Sequence, residues 1–326
     1  MRPTDAEPTD TDSIETKSIP TAIRPSAPEE TMRQRFGEVV SDLIDTDERL
    51  FVLLSDISVG YLEQALGRHP DRAINLGIME QTVMSAAAGL ATEGFIPVVH
   101  SIAPFIVLRP FEQIRDDFLY QGLGVDIVSI GASYDYAEDG YTHHAPDDVP
   151  ALRALAGVEI VVPGTPAEFE ALFRDAYDDG TATYFRLSAQ RNRVDRPVRF
   201  GRLDVVRETA DAPVVVAVGP LLDTVLEATE RLSVSVAYCT TVAPFDSDAL
   251  RTLAGDRPRV AVVEPYYAGA LVPDVIAAVA PRPARVLTIG VPRVITTGYG
   301  TPADHDRTYG LTAAAIADRL RALLDP

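Results

Sequence analysis

A lone carboxylate and a polar loop are the two places in this sequence where side chains are best set to move protons. Glu80 follows the apolar stretch Ala73 to Met79 and precedes Gln81 to Ala91, a run of small residues suited to a closely packed helix. Ligands of open α/β sheets bind beyond the carboxyl ends of the strands, so a carboxylate at a strand-to-helix junction stands where chemistry is done. The competing assignment is a helix cap favoured by the macrodipole. The loop Glu138-Asp139-Gly140-Tyr141-Thr142-His143-His144 puts two acids and two imidazoles together. Such groups suit acid–base work or substrate contact, with a merely solvated loop as the alternative. Adjacent histidines seldom chelate one ion, because zinc ligands usually stand about two to five residues apart, so no metal site is expected. Phe105 follows an apolar strand and is placed either to stack on a planar ring or to pack in the core. Asp56 ends the first strand at the same edge. Ser-His-Asp hydrolysis is a poor fit, since no Gly-x-Ser-x-Gly elbow occurs.

The elements that must position these residues alternate. Strands are expected at 50–55, 73–79, 95–102, 126–132, 159–163 and 181–188, with helices at 80–93, 108–121, 147–156 and 166–178. The charged stretch Gln190 to Pro197 reads as a linker. Beyond it, strands are expected at 212–218, 234–239, 259–264 and 285–290, and helices at 221–232, 246–254, 269–279 and 312–323. Apolar strands between amphipathic helices imply mostly parallel sheets covered on both faces, hence an α/β chain of two doubly wound domains. The expected division is a disordered Thr/Asp/Pro/Glu-rich tail at 1–28, a first domain at 29–192 and a smaller one at 193–326.

Composition narrows the function classes. A net charge of -19 argues against nucleic acid or an anionic membrane surface as partner. No apolar run reaches the roughly 20 residues of a membrane span. Cys239 is the sole cysteine, which excludes an internal disulfide and fits a reducing, cytoplasmic setting.

In this order, the pieces resemble the C-terminal half of transketolase: a strand ending in Asp56, Gly-Ile-Met-Glu ending at Glu80, the Phe105 edge, and the Glu-Asp-Gly-x-Thr-His loop ending at His143. Beyond them come Val-Ala-Pro-Phe-Asp at 242–246, Val-Glu-Pro at 263–265 and Tyr-Gly-Leu-Thr at 309–312. The resemblance implies a domain that binds the aminopyrimidine of thiamine diphosphate. Glu80 matches the cofactor-activating glutamate, Phe105 the aromatic that stacks on the ring, and Asp56 a carboxylate near the thiazolium. Asp139 and His143 match residues that read the hydroxyls and carbonyl of a sugar. Arg33 falls where the family grips phosphate, and His144 replaces a glutamine that positions the loop or reads an acceptor group.

Three departures qualify the match. The Gly-Asp-Gly…Asn element that holds diphosphate and Mg²⁺ is missing, since only Asn75 and Asn192 occur and neither follows an Asp-Gly suitably. His144 stands where glutamine is usual. Gly131, Ala132 and Ser133 occupy the strand end where transketolases place a phosphate-binding histidine, and Ala189 the place of a second arginine. The resemblance therefore implies the C-terminal subunit of a split transketolase, forming a heterotetramer with a companion chain that carries Gly-Asp-Gly…Asn and holds diphosphate and Mg²⁺. Its expected reaction is ketol transfer between small sugars. The alternatives are the beta subunit of a 2-oxo acid or acetoin dehydrogenase complex, and a non-catalytic interaction module.

Overall fold

The computed structural model describes residues 23–324. The first unit runs α1 (Met32–Thr46), β1 (Leu50–Leu54), α2 (Glu63–Arg68), β2 (Ala73–Asn75), α3 (Glu80–Thr92), β3 (Ile96–Ile102), α4 (Ala103–Leu108), α5 (Phe111–Gln113), β4 (Val125–Ile130), α6 (Asp148–Leu152), β5 (Val158–Val161), α7 (Pro166–Ala176) and β6 (Ala182–Arg186). The second runs β7 (Leu203–Arg207), β8 (Val214–Val218), α8 (Leu222–Ala228), β9 (Ser235–Cys239), β10 (Thr241–Ala243), α9 (Ser247–Ala254), β11 (Arg259–Tyr267), α10 (Val272–Val279), β12 (Arg285–Val291), α11 (Pro302–Tyr309) and α12 (Ala313–Leu324). Seven strands form one sheet in the order β10-β5-β6-β4-β3-β1-β2, and five form another as β12-β11-β8-β9-β7. Only β10 against β5 and β7 against β9 pair antiparallel. Two α/β units with largely parallel sheets are what the apolar strands implied.

Local chemistry explains where the elements begin. Thr31 caps α1 by accepting from the Gln34 backbone N–H, and the Gln34 side chain accepts from Thr31 in return. Thr165 and Thr301 cap α7 and α11 through their side-chain oxygens, each followed by a proline at the first helical position. Phe36, Val39, Val40, Leu43 and Ile44 recur at helical spacing along α1 and are buried. β8, Val-Val-Val-Ala-Val, is buried at every position because sheet neighbours and helices cover it on all sides.

Several expectations change in detail. β2 stops at Asn75, and Leu76–Met79 form a loop with Gly77 at φ +80. As the edge strand, β2 has no sheet neighbour beyond it, and Ile78 and Met79 face solvent, 67% and 50% exposed. The helix expected over 108–121 is broken at Arg109-Pro110, as proline demands, and resumes as α5 and a wide turn at Ile114–Leu119. Short β10 and polar β7, both antiparallel, carry no periodic signal and were not expected. β10 adds to the first sheet, pairing Thr241 with Val161, so the two units share hydrogen bonds.

The linker is anchored rather than loose. Asn192 is 2% exposed; its Nδ2 donates to the Gly219 carbonyl and the Tyr238 hydroxyl. Of the tail expected at 1–28, residues 1–22 lie outside the described residues. Ser26 is held by Asp195 through its N–H and hydroxyl, and Arg191 donates to the carbonyls of Ala27, Pro28 and Glu30. Among the described residues, no helix is long and apolar enough to cross a membrane.

Candidate functional site

The carboxyl ends of β1, β2, β3 and β4 converge on one edge, and the singled-out residues gather there. Asp56 has φ +57, a left-handed conformation that aspartate tolerates better than most residues. Asn75 holds it: Asn75 Oδ1 accepts from the Asp56 N–H at 3.0 Å, and Nδ2 donates to Asp56 Oδ1 at 3.1 Å. Asn75 Oδ1 also accepts from the Gly77 N–H, so one amide shapes both loops. The sequence alone shows Asn75 as one of two asparagines and assigns it no place at this site. Its signal was an asparagine paired in register with Leu54, just before the bend at Asp56.

Glu80 is the first residue of α3 and only 3% exposed. Its Oε2 accepts from Arg109 Nη1 at 2.9 Å, and its Oε1 accepts from Ser101 Oγ at 3.4 Å. Neither partner belongs to its own helix, so the carboxylate is aimed at the site rather than at the α3 amides. Phe105 on α4 receives Arg109 four residues later, with the guanidinium carbon 3.9 Å from the ring centroid. The His143 ring packs edge-to-face with those of Phe105 and Tyr136, the ring centroids 5.1 Å and 6.3 Å apart. Glu80, Arg109, Phe105, His143 and Tyr136 are thus contiguous. Neither Arg109 nor Tyr136 is given a role by the sequence alone, although Arg109 stands one turn beyond Phe105 in the same stretch.

The polar loop is built on a buried base. Arg186 Nε pairs with Asp148 at 2.7 Å, both side chains fully buried, and Arg186 Nη2 donates to Ser133 Oγ and the Ala145 carbonyl. Ala145 N–H to Ser133 carbonyl, 2.7 Å, closes the loop. Arg186 and Arg191 are therefore committed to structure and do not stand in for a ligand-gripping arginine. Gly131 has φ +77, and a Cβ there would lie 2.5 Å from the Tyr136 ring. Tyr136 fills the space that a side chain at position 131 would need.

The two loop histidines face opposite ways. His143 sits against Phe105, and Thr142 Oγ1 lies 3.1 Å from its Nδ1. His144 is 3% exposed and turned into the second unit: its Nδ1 bonds Thr296 Oγ1 at 2.9 Å, and its ring meets His305 edge-on at 5.1 Å. Burial, then the neighbouring His305, lowers the basicity of His144 and favours its neutral form. Asp139 is exposed on the loop.

Arg33, on the first turn of α1, reaches the same edge two residues beyond Asp56. Its Nε donates to Ser58 Oγ at 2.8 Å, and its guanidinium lies over the Tyr61 ring at 5.0 Å. Ser58 Oγ is 2.6 Å from His100 Nε2, and His100 Nδ1 is 2.7 Å from the Val128 carbonyl. Complete burial pushes His100 down to about 3, so the ring is neutral.

Comparison with known proteins agrees with this geometry. Residues 29–194 match the transketolase pyrimidine-binding domain, and residues 201–316 the transketolase C-terminal domain. An "Uncharacterized 33.6 kDa protein in fasciation locus" of Rhodococcoides fascians is 39% identical over 292 residues, covering 89% of this chain and 93% of that one. A subunit of the apulose-4-phosphate transketolase of Actinobacillus succinogenes is 26% identical, covering 88% and 95%. A solved structure described as "Split gene transketolase, inactive beta4 tetramer" superposes with a TM-score of 0.79 at 29% identity, covering 90% of this chain and 98% of that chain.

Proposed function

The chain belongs to the transketolase family, and on that premise we propose that it is the C-terminal subunit of a two-chain, thiamine-diphosphate-dependent transketolase. It would move a two-carbon ketol unit from a ketose to an aldehyde acceptor. The observation that carries this reading is the place of the Arg109 guanidinium, bonded to Glu80 and lying flat on Phe105. A planar cation held by that carboxylate and that ring stands in for an aminopyrimidine, which needs the same two contacts. The residues present therefore fit the ring.

Thiamine diphosphate, when bound, supplies the nucleophilic carbon that cleaves the bond beside a ketose carbonyl. Glu80 would hold a proton at the pyrimidine once Arg109 had moved aside, Phe105 would offer its face to the ring, and Asp56 would supply a carboxylate for the thiazolium part. His143, against Phe105, orients the ketose carbonyl and exchanges a proton with its oxygen. Asp139 accepts from sugar hydroxyls, and Arg33 takes the anionic end of the substrate. His144 positions the loop by bonding Thr296 instead of touching ligand. A companion chain with Gly-Asp-Gly…Asn holds the diphosphate and Mg²⁺, because no such element occurs in this sequence. Two of the relatives are described as a subunit or a split-gene product, which supports an assembly of this chain with a companion, completed as a heterotetramer.

The test is reconstitution. Donor cleavage, followed with an external oxidant in the presence of thiamine diphosphate and Mg²⁺, is expected from the mixed chains and not from either alone. Light scattering of the mixture should report both chains in one particle. Full activity of this chain by itself, or none in any mixture that assembles, rejects the reading.

A further inference from the structure

Arg33, Ser58 and His100 form a chain of hydrogen bonds in which the chemistry of its ends fixes every proton. The Val128 carbonyl can only accept, so His100 Nδ1 carries the hydrogen of that bond at 2.7 Å. In the neutral ring, Nε2 is then a bare acceptor, and Ser58 must donate its hydroxyl hydrogen across 2.6 Å. The Ser58 oxygen is left with lone pairs only, and it accepts from Arg33 Nε at 2.8 Å. The direction of the relay is set from the backbone of β4 outward to the guanidinium. His100 is itself held rigidly, 0% exposed and 4.6 Å from the Phe36 ring.

The consequence falls on Arg33. One edge of its guanidinium is tied down through Nε and its face is laid on Tyr61, while Nη1 and Nη2 have no hydrogen-bond partner among the described residues. Arg33 is anchored to Ser58, two residues beyond Asp56, so its free edge stands at the strand ends where the singled-out residues gather. A long, flexible side chain pinned at Nε loses little further entropy when its outer fork takes a bidentate oxyanion.

We propose that Ser58 and His100 are positioning residues that aim the Nη1/Nη2 edge of Arg33 at the phosphate of a phosphorylated substrate. The inference rests on the reading of Arg33 as the residue that takes the substrate's anionic end. It adds what holds that residue in place. A bland alternative is that His100 and Ser58 only satisfy one another inside the fold.

Arginine side-chain NMR of the full chain titrated with inorganic phosphate separates these cases. The Arg33 Nε–Hε signal is assigned by its loss in Arg33→Gln. In the wild type it should be protected from exchange, and phosphate should bind in the millimolar range. Arg33→Gln should abolish that response. Ser58→Ala should expose the Arg33 Nε–Hε to exchange and weaken phosphate binding about 5–10-fold, the cost of ordering the freed side chain on binding. His100→Gln should act in the same direction; if it does not fold, Ser58→Ala carries the test alone. A phosphate response that survives Arg33→Gln, or no response in the wild type, overturns the reading of Arg33 and the relay with it. A response that Arg33→Gln abolishes but Ser58→Ala leaves within about twofold overturns the relay alone. So does weaker binding in Ser58→Ala without any change in the Arg33 Nε–Hε signal.

Discussion

Arg109 and Glu80 form an ion pair at 2.9 Å in which the carboxylate is 3% exposed and the guanidinium 44%. The pair spans 29 residues of sequence and closes over Phe105, so on the proposed function the chain covers the surface that would take the ring. A ligand that needs Glu80 and Phe105 must first turn Arg109 out into solvent, where nearly half of its side chain already lies.

Arg109→Ala therefore should have two opposite effects. Leaving Glu80 buried without its cation should lower the stability of the single chain by about 1–3 kcal/mol in urea unfolding. Removing the competitor should tighten thiamine diphosphate binding to the assembled pair about tenfold by calorimetry, since the ring no longer displaces an arginine. Weaker cofactor binding would mean that Arg109 helps to hold the ring.

Glu80→Gln should leave the fold nearly unchanged, because the amide matches the carboxylate in shape. Activity of the assembled pair should fall by at least about 10²–10⁴-fold, the usual range for a lost acid–base group. Steady-state rates and a thermal melt on the same preparation check both halves. Activity within about threefold of wild type would remove Glu80 from the mechanism.

The two histidines should separate cleanly. His143→Gln should abolish donor cleavage with cofactor binding intact, because the imidazole beside Phe105 is lost. His144→Gln should keep donor cleavage, since a glutamine amide can either donate to or accept from the Thr296 hydroxyl. His144→Ala should instead lower the melting temperature, by loss of that bond and of the packing on His305. Equal loss of cleavage in both glutamine variants would overturn the assignment.

Glu168 should contribute stability that is lost as pH rises from about 4.5 to about 7, while His100, held at about 3 in the fold, contributes with the opposite sign up to its ordinary 6.5. Burial pushes Glu168 up to about 7 from an ordinary 4.5, although the Tyr238 hydroxyl and the N–H groups of Gly164 and Arg196 oppose it. At Glu168 the folded chain binds more protons than the unfolded chain in that window, so this group favours unfolding at each step up in pH. The contribution is roughly 3 kcal/mol across the window. Glu264, raised to about 7 by burial against the N–H groups of Gly269 and Leu271, acts with the same sign. Urea unfolding of the wild type and of Glu168→Gln across this range should differ in slope, with the wild type losing stability relative to the variant as pH rises. A slope unchanged in Glu168→Gln would show that this carboxyl keeps its ordinary value in the fold.

What the sequence determined by itself was the layer order and the strand edge at which the singled-out residues gather. Val-rich strands such as Val214–Val218 alternate with amphipathic helices, and burial on both faces leaves only a parallel α/β arrangement for them. Asp56, Glu80, Phe105 and His143 were legible because each follows a strand at its carboxyl end, a relation that needs only local periodicity. The partners were not legible. Arg109 meets Glu80, Tyr136 fills the space beside Gly131, and Thr296 takes His144 across 152 residues. Periodicity says which face of an element is buried, and nothing about which distant side chain lies opposite it. The same holds for β10, whose three residues join the first sheet through backbone bonds that any sequence can make. Only the packing of the two units decided that one histidine faces the cleft and its neighbour the second unit, because adjacent side chains on a tight loop diverge and each is fixed by what it meets.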